Sequence, residues 1–255
     1  MLPIINRFVY RPDATFAPPG FTPGALGLDF EEINPETEDG LLLSGWYLPA
    51  RDATHALLYC HGNAGDIRDW VHAAPPFISA GISVLIWDYR GYGKSQGSPS
   101  EAGLYLDGEA VWSWLEERAH LDGLPASILG KSLGSAVACH LAAQNRPEGI
   151  ILDSAFTSMR EVVAQNVPWV PKGSIPRLFE SLEFAPEISC PALVIHGGRD
   201  ILVPPEQGRR MYQALGGPKE LKMIDSAGHN DISIYPEYMR WILEFLEIGK
   251  RGSGI

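Results

Sequence analysis

The stretch Ser127-Ile128-Leu129-Gly130-Lys131-Ser132-Leu133-Gly134, continuing into Ser135-Ala136-Val137-Ala138, decides how this chain is read. A short apolar run enters Gly-x-Ser-x-Gly, and a helical pattern over 133–145 begins directly after it. In that context the motif makes a sharp strand-to-helix turn that lifts a serine hydroxyl clear of the backbone. A serine hydroxyl is a poor nucleophile at neutral pH. It needs a base to take its proton and amide groups to hold the oxyanion that forms. Glycines at 130 and 134 suit such a turn, because strand and helix nearly touch there.

The same pattern recurs as Gly93-Lys94-Ser95-Gln96-Gly97. There the preceding strand ends near Asp88, a loop intervenes, and Pro99 follows in place of a helix. Ser132 is therefore the expected nucleophile. Neither Gly-Lys-Ser belongs to a phosphate loop, since G-x-x-x-x-G-K-[ST] requires glycine where this chain has Pro125 or Asp88. Gly91-Tyr92-Gly93 does not continue as a dinucleotide fingerprint either.

Working outward, the segments 28–34, 41–48, 56–60, 82–87, 127–129, 149–153, 192–196 and 220–225 read as strands, that at 56–60 as a continuous apolar run. The first two flank Asn34-Pro35-Glu36-Thr37-Glu38-Asp39-Gly40, whose Asp-Gly pair predicts an antiparallel hairpin. Helical patterns cover 66–80 (interrupted by Pro75-Pro76), 101–119, 133–145, 205–215 and 235–247. Repeated alternation predicts a mostly parallel sheet with helices on both faces, whose ligands bind at the carboxyl ends of the strands.

The chain has 255 residues, a length that a single α/β domain over 1–255 can account for. A formal net charge of −11 argues against a nucleic-acid partner and against a polybasic membrane surface. Cys60, Cys139 and Cys190 are scattered among apolar residues and are expected as buried free thiols. The opening MLPIINRFVYRPD does not read as a secretory signal, and no run reaches membrane-span length. The expectation is a cytoplasmic protein without a clear membrane anchor.

Seven histidines compete for the role of base. His55 and His120 read as exposed, His72 lies in a polar-leaning helix, and His140 sits inside the helix after the elbow. His61 and His196 each end a strand. His229 follows the last strand, in Ser226-Ala227-Gly228-His229-Asn230-Asp231, and fits the chain order nucleophile, acid, base. The acid that orients it is expected at Asp200, with Asp153 as the rival, while Asp225 and Asp231 read as loop caps. The oxyanion donors are expected to be the amides of Leu133, next to the nucleophile, and of Asn63 in Gly62-Asn63-Ala64-Gly65, a loop that His61 braces.

These pieces resemble the α/β-hydrolase-domain serine hydrolases, a group with depalmitoylase-like and monoacylglycerol-lipase-like members. The matching segments are His61-Gly62-Asn63-Ala64-Gly65, Asp88 to Ser95, Gly130 to Gly134, His196 to Asp200, and Gly228-His229-Asn230-Asp231. The likeness spans roughly residues 28 to 247. It implies an α/β-hydrolase fold with an eight-stranded sheet, hydrolysis without metal or organic cofactor, and a triad of Ser132, Asp200 and His229. One departure stands out: the lipidated N-terminal cysteine cluster of depalmitoylase-like members has no counterpart here.

A short lid is expected over about 155–189, where Val162, Val163, Val167, Trp169, Val170, Ile175, Leu178 and Phe179 alternate with Pro168, Pro171 and Pro176. Its apolar residues either line an acyl site or only pack on the sheet. The reaction expected is hydrolysis of a small carboxylic ester or thioester. The alternatives are a peptidase or amidase on the same fold, and a binding module that retains the fold without catalysis.

Overall fold

The computed structural model describes residues 9–252, so part of the N-terminal stretch considered for a secretory signal lies outside the described residues. Eight strands form one sheet in the order β1-β2-β4-β3-β5-β6-β7-β8. The described chain forms two compact units, Tyr10–Ser127 and, with Val9, the residues from Ile128 onward.

The first unit holds β1 (Glu31–Ile33), β2 (Ser44–Leu48), β3 (His55–Cys60) and β4 (Ile82–Asp88). β1 pairs antiparallel with β2 and β2 antiparallel with β4, while β3 and β4 run parallel. The hairpin expected at Asp39-Gly40 is present. Gly40 takes φ +79°, and its amide donates to the Thr37 carbonyl at 2.8 Å. Every residue of β3 and β4 is buried, as strands covered on both faces require.

The helical pattern over 66–80 resolves into α1 (Ile67–Trp70), a 3₁₀ turn and α2 (Ala74–Ser79). Pro75 and Pro76 do not interrupt a helix. They occupy the first turn of α2, where a missing N–H costs nothing. α3 (Glu101–Asp122) starts where Ser100 accepts a hydrogen bond from the Gly103 amide at 3.1 Å. Such a cap contributes about 1 kcal/mol. The helix ends at Asp122, three residues beyond the predicted end, and Gly123 caps it at φ +67°.

The second unit carries the last residues of β5 (Ala126–Lys131), then β6 (Ile150–Asp153), β7 (Ala192–Gly197) and β8 (Lys219–Ile224), paired in parallel. α4 (Leu133–Asn145) follows β5 after a single residue, and its first half is buried throughout. The segment expected as a lid contains α5 (Met159–Asn166), a 3₁₀ turn at Lys172–Ser174 and α6 (Ser181–Phe184). Val162, Val163, Ile175 and Phe179 are buried, whereas Trp169 is 78% exposed. α7 (Pro205–Ala214) and α8 (Pro236–Gly252) complete the unit.

Cys60, Cys139 and Cys190 are free and buried, as expected. Burial pushes the Cys60 thiol up to about 12, so it has no thiolate character at neutral pH.

Candidate active site

Ser132 links β5 to α4 with φ +51° and ψ −116°. A non-glycine residue held there stores about 1–3 kcal/mol of strain. The surrounding backbone fixes it: the Ser132 amide donates to the Asp153 carbonyl at 2.9 Å, and its carbonyl accepts from the Ser135 hydroxyl at 2.6 Å. A Cβ on Gly130 would come within 2.5 Å of the Gly134 carbonyl oxygen and 2.6 Å of the Ser135 Cα. The glycine is what lets strand and helix approach closely enough to make the bend.

The structure brings Ser132, His229 and Asp200 together. His229 Nε2 lies 3.0 Å from Ser132 Oγ, and His229 Nδ1 lies 2.7 Å from Asp200 Oδ2. An ionised carboxylate can only accept. Nδ1 therefore carries the hydrogen, and Nε2 is left to accept the serine proton. Asp200 follows β7 and is 3% exposed. Its second oxygen accepts the amides of Leu202 at 3.0 Å and Val203 at 2.8 Å.

Burial alone would raise the Asp200 carboxyl, but hydrogen bonds from His196 and His229 outweigh it and hold the group well below the usual carboxylate range. His196 is a feature that the sequence reading passed over as merely ending a strand. Its Nε2 sits 2.9 Å from the Val203 carbonyl and 3.5 Å from Asp200 Oδ2, fully buried. A Cβ on Gly208 of α7 would strike its ring at 2.3 Å. The Asp200 carboxylate is thus gripped from three sides.

Asp153, the rival acid, is engaged elsewhere. Its Oδ1 accepts the Lys131 ammonium at 2.9 Å and the Ser154 hydroxyl at 2.9 Å, and its Oδ2 accepts the Tyr238 hydroxyl of α8 at 2.9 Å. Asp231 behaves as the loop cap expected of it, its Oδ1 accepting the Gly228 amide. Leu133 supplies the first amide of α4, a first-turn donor with no partner inside its own helix.

Asn63 belongs to the other unit. Its carbonyl accepts from the Tyr92 hydroxyl and from the Arg11 amide, each at 3.0 Å. The Tyr89 hydroxyl holds the His61 carbonyl at 2.7 Å, and His61 Nδ1 meets the Gly62 carbonyl at 2.7 Å. His61 braces the loop as expected. Burial pulls its pKa down to about 4, so the ring is neutral at physiological pH.

Of the remaining histidines, His120 and His72 are exposed and His140 is half-buried against the Phe184 ring. His55 departs from its expected exposure. It is 2% exposed, with Nε2 2.9 Å from Ser127 Oγ. That partner is distant in sequence and could not be seen from the residues around His55.

Comparison with known proteins agrees with this architecture. Residues 55–180 match the family model described as alpha/beta hydrolase fold. A Mycobacterium tuberculosis protein is 38% identical over 232 residues, covering 89% of this chain and 80% of the relative. Alpha/beta hydrolase domain-containing protein 17B of Xenopus tropicalis is 31% identical over 199 residues, covering 76% of this chain and 67% of the relative. The solved structure of the Pyrococcus furiosus esterase Pf2001 superposes with a TM-score of 0.77 at 24% identity, over 94% of this chain and 99% of that one. The chain belongs to the α/β-hydrolase-domain group, and its fold and family are those of a hydrolase. Among the described residues, no helix is long and apolar enough to cross a membrane.

Proposed function

We propose that this protein is a serine hydrolase that cleaves the carboxylic ester or thioester of a small, acyl-bearing substrate through an acyl-enzyme. The observation that carries this reading is the continuous chain of two hydrogen bonds from Asp200 through His229 to Ser132, at 2.7 and 3.0 Å. Ser132 Oγ attacks the substrate carbonyl as its proton passes to His229 Nε2. The imidazolium that forms is stabilised by the buried Asp200 carboxylate. The Leu133 amide, with the Asn63 amide assigned to the same role from the sequence, holds the tetrahedral oxyanion. Collapse expels the alcohol or thiol, which takes the proton from His229. Water then attacks the acyl-serine with His229 again as base, and releases the acid. None of these steps calls for a metal or an organic cofactor.

An apolar lid segment suits an acyl chain, and a lid this short does not enclose a large polymer. A cytoplasmic setting is part of the same proposal, as are a small-molecule substrate and the lack of a nucleic-acid partner. The test is labelling with a fluorophosphonate probe, together with turnover of p-nitrophenyl esters of increasing chain length beside a thioester and a peptide amide. Wild type is expected to label and to turn over the esters, and Ser132→Ala to do neither. Undiminished turnover in Ser132→Ala would remove Ser132 from the mechanism. A preference for the amide would move the protein to the peptidases, and a wild type that neither labels nor turns over would make it a binding module.

A further inference from the structure

The residue between the elbow's first glycine and its serine has a job that the motif does not specify. Lys131 is 7% exposed at its side chain and extends from the last position of β5. An ammonium has three hydrogens to donate, and here each has an acceptor. Nζ lies 2.9 Å from Asp153 Oδ1, 3.2 Å from Ser154 Oγ and 2.8 Å from the backbone carbonyl oxygen of His229. The first two acceptors anchor the ammonium to the end of β6, in register with Lys131 itself. Tyr238 fixes the far oxygen of the same carboxylate from α8. The third acceptor lies on the loop that carries the base.

We propose that Lys131 is a positioning residue, whose anchored ammonium holds the His229 backbone so that the imidazole keeps its aim between Asp200 and Ser132. This rests on the hydrolytic reading of the Ser132 site and adds to it a link between nucleophile and base through adjacent residues. Lys131 precedes Ser132 in the chain, so any shift of the elbow moves the clamp on His229 with it. The two reacting side chains are thereby tied to one rigid strand end. The same contacts account for the commitment of Asp153, which neutralises the buried lysine and is not available to the imidazole.

Removing the lysine alone would leave Asp153 as an unpaired buried charge, which is destabilising in its own right. The test therefore compares Asp153→Asn, which takes the carboxylate from the lysine but leaves its nitrogen, charged or neutral, able to donate to the His229 carbonyl, with the double variant Lys131→Met/Asp153→Asn, which removes that donor as well. Both are first checked for native circular dichroism and a cooperative melt. The double variant is expected to lose about a further 10²-fold in kcat on a short p-nitrophenyl ester, the cost of a misplacement of about 1 Å. Its KM should stay within about twofold, because substrate binding is not what the clamp serves. Independently of turnover, the low-field proton resonance of the His229–Asp200 hydrogen bond should persist in Asp153→Asn and vanish or broaden in the double variant. Equal kcat and an equal low-field resonance in the two variants would overturn the proposal. If wild type hydrolyses no ester, the hydrolytic reading fails while the proton resonance still decides the clamp. Should the double variant not fold, Lys131→Gln/Asp153→Asn replaces it, with a neutral side chain one atom shorter than lysine, and parity with Asp153→Asn in both readouts would again overturn the proposal.

Discussion

Two Gly-Lys-Ser-x-Gly segments share their letters and differ in everything that matters chemically. The Ser95 hydroxyl donates to the Asp88 carbonyl at 2.6 Å and accepts the Ser44 amide at 2.9 Å, so backbone partners take up both its proton and its acceptor capacity. The Ser132 hydroxyl faces an imidazole at 3.0 Å. Lys94 is 76% exposed and meets Glu32 at 3.7 Å, while Lys131 is buried with three acceptors. Even the glycines serve different needs. Gly93 and Gly97 supply φ of +48° and +85° to a loop, whereas Gly130 supplies empty space against the backbone of α4. What separates the proposed nucleophile from a turn-former is therefore the element on each side of the pattern. A strand feeding directly into a long helix strains the serine outward, and a loop lets it fold back onto its own backbone.

The comparison breaks most dramatically if the partners of Ser132 prove dispensable. Asp200→Asn retains the shape of the site but replaces an acceptor with a group that no longer demands the Nδ1 proton. It should lower kcat by about 10⁴, with little change in KM. A near-normal rate in steady-state assays would return Asp153 to consideration despite its bonds to Lys131 and Tyr238. The same variant has a pH signature. The folded pKa of Asp200 lies below the ordinary carboxylate value of 3.8, so its ionised form stabilises the fold at pH above that value. The contribution disappears as pH falls from there toward the folded value. The gap in urea midpoint between wild type and Asp200→Asn should therefore be full at neutral pH and shrink by about pH 3. A gap that widens with acid would contradict the assigned direction.

Gly130→Ala tests whether the elbow's glycine is there for space. The new methyl would press on backbone atoms at 2.5 and 2.6 Å, and backbone at a helix start cannot swing aside as a side chain can. Overpacking of this kind costs about 1–3 kcal/mol, and this site should fall at the upper end. A lowered urea midpoint is expected together with reduced turnover, since the helix start that carries Leu133 must move. An unchanged midpoint would mean that the strand–helix contact is looser than its geometry indicates.

Much of this was legible in the residues. The inner strands β3, β4, β6 and β7 stand out as apolar runs because strands buried on both faces tolerate few polar letters, whereas the edge strands β1 and β8 carry charged residues and are only partly buried. The order of Ser132, Asp200 and His229 along the chain singled out one histidine from seven, because each motif sits at a strand's carboxyl end. What escaped was polar burial. His55 reads as exposed, and nothing around Lys131 marks it as buried, because their partners, Ser127 for one and Asp153, Ser154 and His229 for the other, come from other elements. Tyr238 lies in an amphipathic helix, where the sequence marks a buried face but not which hydroxyl will find a carboxylate. His196 gave a signal of a kind, as a histidine ending a strand four residues before the acid. Only the approach of Gly208 and Val203 shows what it supports.

The smallest effect falls on the other serine. Ser95→Ala removes a hydroxyl that joins β2 to the end of β4, leaving the Ser44 amide and the Asp88 carbonyl each short of a partner. An unsatisfied buried donor typically carries a penalty of about 1–2 kcal/mol, so the urea midpoint should fall modestly. Turnover of short esters should stay close to wild type, because nothing in the proposed chemistry passes through Ser95. The two serines thus predict opposite profiles: one variant folds normally and is inert, and the other is weakened and active. Loss of turnover in a folded Ser95→Ala protein would mean that the shared pattern carries function in both places, and that flanking elements are not enough to tell the two apart.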